Sequence, residues 1–286
     1  MLRSFNGLPS IAIACVVTSS VLDEFLVFKL SFELFHGPLV TWFIRCDETV
    51  YPHLANLDRL NCVPFAVGVP DRPSIWSPEF RVVVAQKMEA MDDAWNAANW
   101  DAVVFADVDL VVMSSFLSSL LDIDTEVVLS PHYFPSRSLE LSQVYGFYNA
   151  GFILTTTPRF HGAWRNAFHT HPELFTDQAC LNSVARSFKA HELEEAHNVG
   201  VWRSADSRPF RPIPEGCGFV HTHLFQPLLS RRERLVREFS FHCIRYLQTM
   251  HSAEASRVVN EIVARDKTGY YQARITELLS NNQKCL

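Results

Sequence analysis

Two acidic residues at the end of an apolar run are the side chains in this sequence best suited to chemistry. Asp107 and Asp109 follow the small and apolar residues 102–106. In an extended chain, side chains two residues apart point the same way and lie about 7 Å apart. Two carboxylates held so close repel each other unless a cation or a proton separates them. Because carboxylate oxygens at the carboxyl end of a strand suit Mg²⁺ or Mn²⁺, the pair predicts a divalent-metal site.

The alternative for this acidic pair is a strand end that simply faces water. However, Leu110, Val111 and Val112 follow the acids, so apolar residues flank them on both sides. Such flanks would bury the two carboxylates at a high energetic cost unless something compensated their charge. The flanks therefore favour the metal site.

Two histidines near residue 220 are candidates for additional ligands. His221 and His223 occur in the segment Val220-His221-Thr222-His223-Leu224, and in a strand both imidazoles would lie on one face. Imidazole is a common ligand of Mn²⁺ and of other divalent ions. Because the chain has 12 histidines, the spacing alone leaves open which of the two binds a metal.

Two further segments carry polar side chains suited to a ligand rich in hydroxyl groups. Asn149 precedes the small residues Ala150 and Gly151, which allow another group to approach the backbone closely. Its amide can both donate and accept hydrogen bonds. Asp177 and Gln178 stand at the start of a predicted helix, where an acid also stabilises the first turn. A simple turn and an ordinary helix start are the structural alternatives for these two segments.

Hydrophobic periodicity predicts strands that alternate with helices over about the first 130 residues, and helical stretches at the C-terminal end. The predicted strands are Ser10–Val17, Leu39–Arg45, Cys62–Val69, Asp101–Val112, Thr125–Ser130 and Ala150–Thr155. The predicted helices are Asp23–Phe35, Pro78–Ala98, Arg159–His169, Thr176–Phe188, Ser230–Met250 and Ser252–Leu279. This alternation, with right-handed crossovers, predicts an α/β protein with an open, mixed but mainly parallel sheet flanked by helices.

Composition limits the classes of function. The chain has 286 residues, 48% of them hydrophobic and 20% charged, with a formal net charge of −6, which is ordinary for a globular protein with a large core. Since phosphate backbones need a basic surface, no nucleic-acid partner is expected. The seven cysteines include no CxxC pair and indicate neither a zinc knuckle nor a disulfide framework. The apolar run 11–17 is too short to span a membrane, and we expect a cytoplasmic protein.

Taken in chain order, these motifs resemble those of retaining GT-A glycosyltransferases. A DxD after an apolar strand, an Asn-Ala-Gly turn, an Asp-Gln helix start and a late histidine occur in this order in family 8, the glycogenin and lipopolysaccharide galactosyltransferase group. The resemblance covers residues 10 to 226. It implies a Rossmann-like GT-A catalytic domain over residues 1–229, which binds a nucleotide-diphospho-sugar, and a helical C-terminal extension over residues 230–286.

The same resemblance implies an activity. A hexose would move with retention of configuration from a nucleotide-diphospho-sugar, UDP-hexose by default, to an acceptor. The cofactor would be Mn²⁺ or Mg²⁺. The acceptor stays open among glycans, lipids and proteins.

The resemblance also implies a set of ligands. Asp107 and Asp109 would bind the metal with His223, or with His221 as the alternative, and Asp107 would also approach the ribose. The residues expected to contact the donor are Thr18 and Ser19 near the nucleotide, Lys87 near the diphosphate or the sugar, and Asn149, Asp177 and Gln178 around the sugar.

The resemblance also implies two catalytic residues, and the chain departs from the family pattern at one position. Gln178 and Asp177 would be the catalytic residues, with Gln178 beside the reacting face of the sugar and Asp177 at the donor hydroxyls. In related enzymes, a glycine and a lysine often come after the metal-binding histidine. In this chain Leu224 and Phe225 come after His223, so the lysine is missing there. Arg231 or Arg232 would replace that lysine, because a guanidinium binds phosphate well.

Two other functions compete with this one. A nucleotidyltransferase on a similar sheet also uses paired acids and a metal, but it usually carries a glycine-rich loop near its start, and residues 8–36 contain no glycine. A non-catalytic sugar- or nucleotide-binding module is the other alternative. The basic and apolar residues of 230–237 would suit peripheral membrane contact, or equally a helix packed on the core with a solvated basic face.

Overall fold

The protein has a seven-stranded central sheet and a small second sheet. The computed structural model describes residues 10–37, 40–66, 78–135, 140–171, 177–203, 209–225 and 230–283. The strands are β1 Ile11–Val17, β2 Thr41–Asp47, β3 Leu60–Phe65, β4 Ala102–Ala106, β5 Leu110–Val112, β6 Val127–Pro131, β7 Tyr148–Thr155, β8 Ala190–Glu192, β9 Val199–Gly200 and β10 Phe219–His221.

The central sheet has the strand order β3-β2-β1-β4-β7-β6-β8. β3, β2, β1 and β4 are mutually parallel. β7 runs antiparallel between β4 and β6, and β8 pairs in parallel with β6. The mixed, mainly parallel α/β sheet predicted from the sequence is thus confirmed.

Helices cover both faces of this sheet. They are α1 Leu22–His36, α2 Tyr51–Leu54, α3 Pro78–Ala97, α4 Leu117–Leu121, α5 Leu141–Tyr145, α6 Pro158–Thr170, α7 Asp177–Ala185, α8 Arg231–Thr249, α9 Ala253–Arg265 and α10 Tyr270–Gln283. Alternate residues of β1 enter two separate cores, because neighbouring side chains in a strand point to opposite faces. Ile13 packs in the core with α1 and α4, whereas Ala12 and Ala14 pack with α3, α6 and α7. Burial on both faces explains why β1 is continuously apolar.

A second sheet links the carboxyl end of β4 to the C-terminal helices. It has the order β5-β10-β9, with β10 antiparallel to β5 and parallel to β9. Val111 of β5 and Val220 of β10 share a hydrophobic core with Phe239 of α8, Ile262 of α9 and Tyr271 of α10. The helices α8, α9 and α10 pack directly on this sheet and share its core. The predicted boundary between two domains at residue 229 stays a prediction.

The structure corrects three local predictions. The stretch Asp101–Val112 is two strands, because a turn at the acids separates β4 from β5. The stretch Ser252–Leu279 is two helices, since a turn at 266–269 interrupts it. The strand predicted at His221 and His223 ends at His221, and His223 has a left-handed backbone with φ +48°. The last residues of predicted strand Cys62–Val69 and the first residue of predicted helix Thr176–Phe188 lie outside the described residues.

Within the described part of the chain, every helix is too short or too polar to cross a bilayer.

Candidate functional site

The strand order of the central sheet reverses direction beside β1. The chain moves from β1 outward to β2 and β3 and then returns to the other side of β1 as β4, so β1 and β4 form a topological switch point. In open α/β sheets, ligands bind outside the carboxyl ends of the strands at such a point. Thr18 and Ser19 follow β1 at this edge, and Asp107 follows β4. Three residues predicted to bind a ligand therefore directly follow the two strands at the switch point.

The second sheet brings the histidines to the acidic pair. Leu110, directly after Asp109, pairs with His221 at the end of β10. One residue further, the backbone N–H and the hydroxyl of Thr222 donate to the carbonyl of Asp109 at 2.9 and 3.1 Å. His221 and His223 thus flank a residue that is hydrogen-bonded to the backbone of Asp109. This pairing of segments more than 100 residues apart assembles the site.

Asp109, His221 and His223 form a cluster with the geometry of a metal site. One possible ligand atom from each residue lies within 4.8 Å of the other two. Asp109 Oδ1 lies 2.7 Å from His221 Nε2, and Asp109 Oδ2 contacts His223 Nδ1. A carboxylate and two imidazoles this close fit either a shared proton or the ligands of one shared cation. The donor set of one carboxylate and two imidazoles suits Mn²⁺ and similar ions.

Charge coupling within this cluster is strong. Burial raises the pKa of Asp109, but the two adjacent imidazoles outweigh burial and hold that pKa well below its ordinary value. Burial lowers the pKa of His223, whereas the Asp109 carboxylate raises it by more, and the net pKa is raised. Without a metal, the raised pKa favours a proton on His223, which would compensate the charge of Asp109. A divalent cation would replace that proton.

Lys87 connects Asp107 to Asp177. Its Nζ lies 2.9 Å from Asp107 Oδ1 and 2.8 Å from Asp177 Oδ2. Lys87 comes from α3 and Asp177 from the first turn of α7, so the ammonium joins two helices to the end of β4. Burial lowers the pKa of Lys87, but the two carboxylates raise it by more than burial lowers it. The net pKa is raised, and the ammonium stays charged. The pKa of Asp107 is raised, mainly by burial, although Lys87 opposes this rise.

Gly151 allows the two halves of the site to meet. A Cβ atom added there would lie 2.8 Å from Asn149 Oδ1, 2.8 Å from His221 Cε1 and 3.2 Å from Asp107 Oδ2. Side chains cannot normally approach a Cβ so closely. The expectation that small residues after Asn149 permit a close approach is therefore confirmed.

Asn149 and Gln178 belong to a buried polar network. Asn149 Nδ2 donates to Gln178 Oε1 at 3.3 Å, and Asn149 Oδ1 accepts from the Gly151 backbone N–H at 2.9 Å. Asn198, which is fully buried, donates to the same Asn149 Oδ1 at 3.0 Å. His132 also contacts Gln178, and burial lowers the pKa of His132 to about 4, so this imidazole is neutral. The network fixes the amide of Asn149 from both sides.

Four residues of this region had no role assigned to them from their chemistry in the sequence. His132 and Asn198 complete the network around Asn149, and Trp202 packs edge-on against His221 with ring centroids 5.3 Å apart. Asn198 has φ +51°, and asparagine is one of the few residues that tolerate this conformation. Glu24 is buried on α1, and its Oε1 accepts a hydrogen bond from the Phe225 backbone at 3.0 Å. Burial raises the pKa of Glu24 to about 7.

The structure places the predicted residues in one connected group, with two exceptions. The connected residues are Lys87, Asp107, Asp109, Asn149, Asp177, Gln178, His221 and His223. Thr18 and Ser19 lie one strand away. The Thr18 hydroxyl is 3.0 Å from that of Ser20, and the Ser19 N–H donates to Asp47 Oδ2 at 2.6 Å.

Comparison with solved structures shows the fold. The galactosyltransferase LgtC in complex with donor and acceptor sugar analogues matches with a TM-score of 0.52 and 15% identity, over 80% of this chain and 95% of LgtC. An active-site mutant of LgtC, in which glutamate replaces glutamine, matches with a TM-score of 0.51 and 14% identity over the same shares. The glycosyltransferase GlyE of Streptococcus pneumoniae TIGR4 matches with a TM-score of 0.49 and 15% identity, over 90% of this chain and 64% of GlyE. No protein-family model and no curated protein matches the sequence significantly. The chain therefore has the GT-A fold and resembles family 8 in its architecture.

Proposed function

We propose, from the GT-A fold, that this protein is a metal-dependent glycosyltransferase that moves a hexose from a nucleotide-diphospho-sugar to an acceptor. The observation that carries the proposal is the cluster of Asp109, His221 and His223 beside the Lys87 ion pairs. This cluster stands at the carboxyl end of β4, next to the switch point. Both the position and the residue types suit a divalent cation that would hold a diphosphate.

The metal would be held by Asp109, His221 and His223, with Asp107 as a further carboxylate ligand. Two nitrogen ligands favour Mn²⁺ over Mg²⁺, because Mg²⁺ prefers oxygen ligands and keeps several waters. When bound, the cation neutralises charge on the diphosphate and makes it a better leaving group. Burial of the ligands would strengthen that interaction relative to water.

Charge balance supports the need for a cation. Asp107, Asp109 and Asp177 contribute three negative charges and Lys87 one positive charge, so the site carries two negative charges when the imidazoles are neutral. An anionic donor would be repelled by such a site. A divalent cation removes the repulsion, and Lys87 then adds a fixed positive charge near the diphosphate.

The sugar would lie against Asn149, Asp177 and Gln178. The polar network holds these groups before a ligand arrives, and preorganised dipoles stabilise developing charge at little cost. The reaction breaks the bond between C1 of the hexose and the diphosphate oxygen, and forms a bond between C1 and an acceptor hydroxyl oxygen. The acceptor oxygen attacks the face of the sugar ring that the phosphate leaves, which gives retention of configuration at C1. The hydroxyl proton passes to the leaving phosphate on that face. Gln178 would stabilise that face, and Asp177 would orient the donor hydroxyls.

LgtC supports the choice of Gln178. An active-site mutant of LgtC exchanges a glutamine for glutamate, so a glutamine stands in the active site of that enzyme. The Gln178 side chain is held by Asn149 and contacts His132, which fixes its amide. These contacts are those expected of a group with an orienting role.

The remaining parts of the proposal concern the nucleotide, the acceptor and the C-terminal helices. Thr18 and Ser19 would contact the nucleotide, UDP by default. LgtC binds donor and acceptor sugar analogues, which supports a glycan acceptor here, with lipid or protein acceptors as alternatives. The exposed residues Arg231, Arg232 and Arg234 would contact the acceptor, the diphosphate or an anionic membrane surface.

Thermal unfolding tests the donor site without knowledge of the acceptor. We expect UDP and Mn²⁺ together to stabilise the protein by an amount that grows with UDP concentration, about 2.7 kcal/mol at 100 times the Kd. Asp109→Asn should abolish this stabilisation, whereas the exposed Asp122→Asn should retain it. Equal stabilisation of both variants, or none for the wild type with any nucleoside diphosphate, would contradict the proposed site.

A further inference from the structure

The loop that presents His223 has an unusual backbone conformation. His223 has φ +48°, a left-handed conformation that is unfavourable for a residue with a side chain. Its imidazole must nevertheless reach Asp109, which lies on a different segment. A strained residue of this kind keeps one conformation only when surrounding groups hold it.

The C-terminal helices hold this loop on both sides of His223. The hydroxyl of Ser240 on α8 is shared as a donor between the carbonyl of Thr222 and the carbonyl of Val236 in its own helix. Tyr271 on α10 donates from its hydroxyl to the carbonyl of Leu224 at 2.6 Å. Both side chains are fully buried, and the two hydroxyls also contact each other. The residues before and after His223 are therefore fixed by one connected pair of hydroxyl groups.

Tyr271 is itself held by a buried ion pair. Arg237 on α8 pairs with Asp266 at 3.0 Å, and both side chains are 1% exposed. The second oxygen of Asp266 accepts a hydrogen bond from the Tyr271 backbone at 2.8 Å. The Arg237 guanidinium lies over the Tyr271 ring, 4.7 Å from its centroid. Separating such a pair would leave an uncompensated buried charge, so the pair holds its position. Because Asp266 and Arg237 both contact Tyr271, the pair fixes the start of α10 and the direction of the tyrosine side chain.

We infer that Ser240 and Tyr271 are positioning residues for His223, and that the C-terminal helices complete the metal site. Neither side chain is one of the proposed metal ligands or donor contacts. They act by holding the carbonyls of Thr222 and Leu224, and thereby the backbone that aims the imidazole at Asp109. The effect on metal affinity rests on the proposed function, whereas the effect on the loop does not.

The test compares two pairs of matched variants. Tyr271→Phe removes the hydroxyl that bonds the loop, and Tyr270→Phe makes the same chemical change at the neighbouring residue, whose ring lies beside the same guanidinium. Ser240→Ala removes the second hydroxyl, and Ser256→Ala is its control, since the Ser256 hydroxyl donates to the carbonyl of Ser252, which caps the same helix. Mn²⁺ affinity is measured by titration calorimetry on the metal-free full chain. Amide hydrogen exchange of residues 222–225 is measured on the same samples.

We expect Tyr271→Phe and Ser240→Ala each to weaken Mn²⁺ binding about three- to tenfold, the loss that corresponds to one hydrogen bond. Exchange in residues 222–225 should speed up by a similar factor without metal. The two controls should match the wild type in both measurements. Unchanged affinity and exchange in folded Tyr271→Phe and Ser240→Ala, or equal changes in the controls, would overturn the inference. If the wild type binds no Mn²⁺, the proposed metal site fails, and the exchange comparison alone then decides the role of the two hydroxyls.

Discussion

Gly151→Ala is the substitution whose effect on the site follows most directly from the geometry. The added Cβ would lie 2.8 Å from His221 Cε1 and 2.8 Å from Asn149 Oδ1. Carbon atoms make contact at about 3.5–4.0 Å, so the imidazole must move by about 0.7 Å or more. Metal sites tolerate deviations of only about 0.2 Å in ligand distances. The displacement therefore takes His221 out of position as a ligand.

Neighbouring groups make this displacement difficult to absorb elsewhere. Asn149 Oδ1 is already fixed by hydrogen bonds from the Gly151 N–H and from Asn198. The ring of Trp202 packs against the imidazole of His221. We expect Gly151→Ala to destabilise the metal-free protein by about 1–3 kcal/mol, the usual cost of overpacking. Mn²⁺ affinity should fall by about tenfold or more, as when a group that supports a metal ligand is lost.

Gly162→Ala is the matched control, because a Cβ at that position in α6 meets no other described part of the chain within 4 Å beyond its own helix backbone. Replacement of a helical glycine by alanine should stabilise the protein by about 0.5–1 kcal/mol. Urea unfolding with and without Mn²⁺, together with calorimetric titration of Mn²⁺, separates the two effects. The reasoning about Gly151 is refuted if its alanine variant binds Mn²⁺ as tightly as the Gly162 variant.

Three other perturbations test the electrostatics. Lys87→Met should destabilise the protein by about 3–5 kcal/mol at pH 7, because Asp107 and Asp177 lose their shared cation. Addition of Asp177→Asn should recover part of this loss of stability. A cost below about 1 kcal/mol in urea unfolding would argue against the ion pairs. Asp109 raises the pKa of His223, so their pairing stabilises the metal-free protein below about pH 6.5 and is lost as the pH rises through the raised pKa. Protons then compete less with the metal, and Mn²⁺ affinity from calorimetry should increase between about pH 6 and pH 8; a flat profile would contradict this competition. Burial raises the pKa of Glu24 from 4.5 to about 7, so ionisation penalises the folded state increasingly over that range, by about 3 kcal/mol at completion. Glu24→Gln keeps an acceptor for the Phe225 N–H and should therefore be more stable than the wild type at pH 8 but not at pH 4.5, and equal unfolding midpoints at both pH values would exclude the penalty.

Local patterns predicted the parts of the fold that depend on burial. The run 11–17 is apolar because both faces of β1 are covered, and that feature is visible in the sequence. The turn between Asp107 and Asp109 was missed, because apolar residues continue on both sides and hide the break. The break between α9 and α10 had a visible signal in Asp266 and Gly269, since glycine supplies the positive φ of +68° there.

The assembly of the site depends on contacts that no local pattern contains. β5 pairs with β10 across more than 100 residues, and only this pairing brings both His221 and His223 to Asp109. His132 and Asn198 meet at Asn149 from two separate polar segments. Their residue types are common outside functional sites, so chemistry alone gave no reason to choose them.

Donor hydrolysis is the most direct test of the central claim. UDP-, GDP- and TDP-hexoses are incubated with the wild type and with Asp109→Asn, with and without Mn²⁺, and the released sugar is followed by NMR. We predict that the wild type cleaves a UDP-hexose only with Mn²⁺, that the sugar is released with its anomeric configuration retained, and that the folded Asp109→Asn variant is inactive. Cleavage that is independent of metal, inversion at C1, or equal activity of the variant would contradict the account.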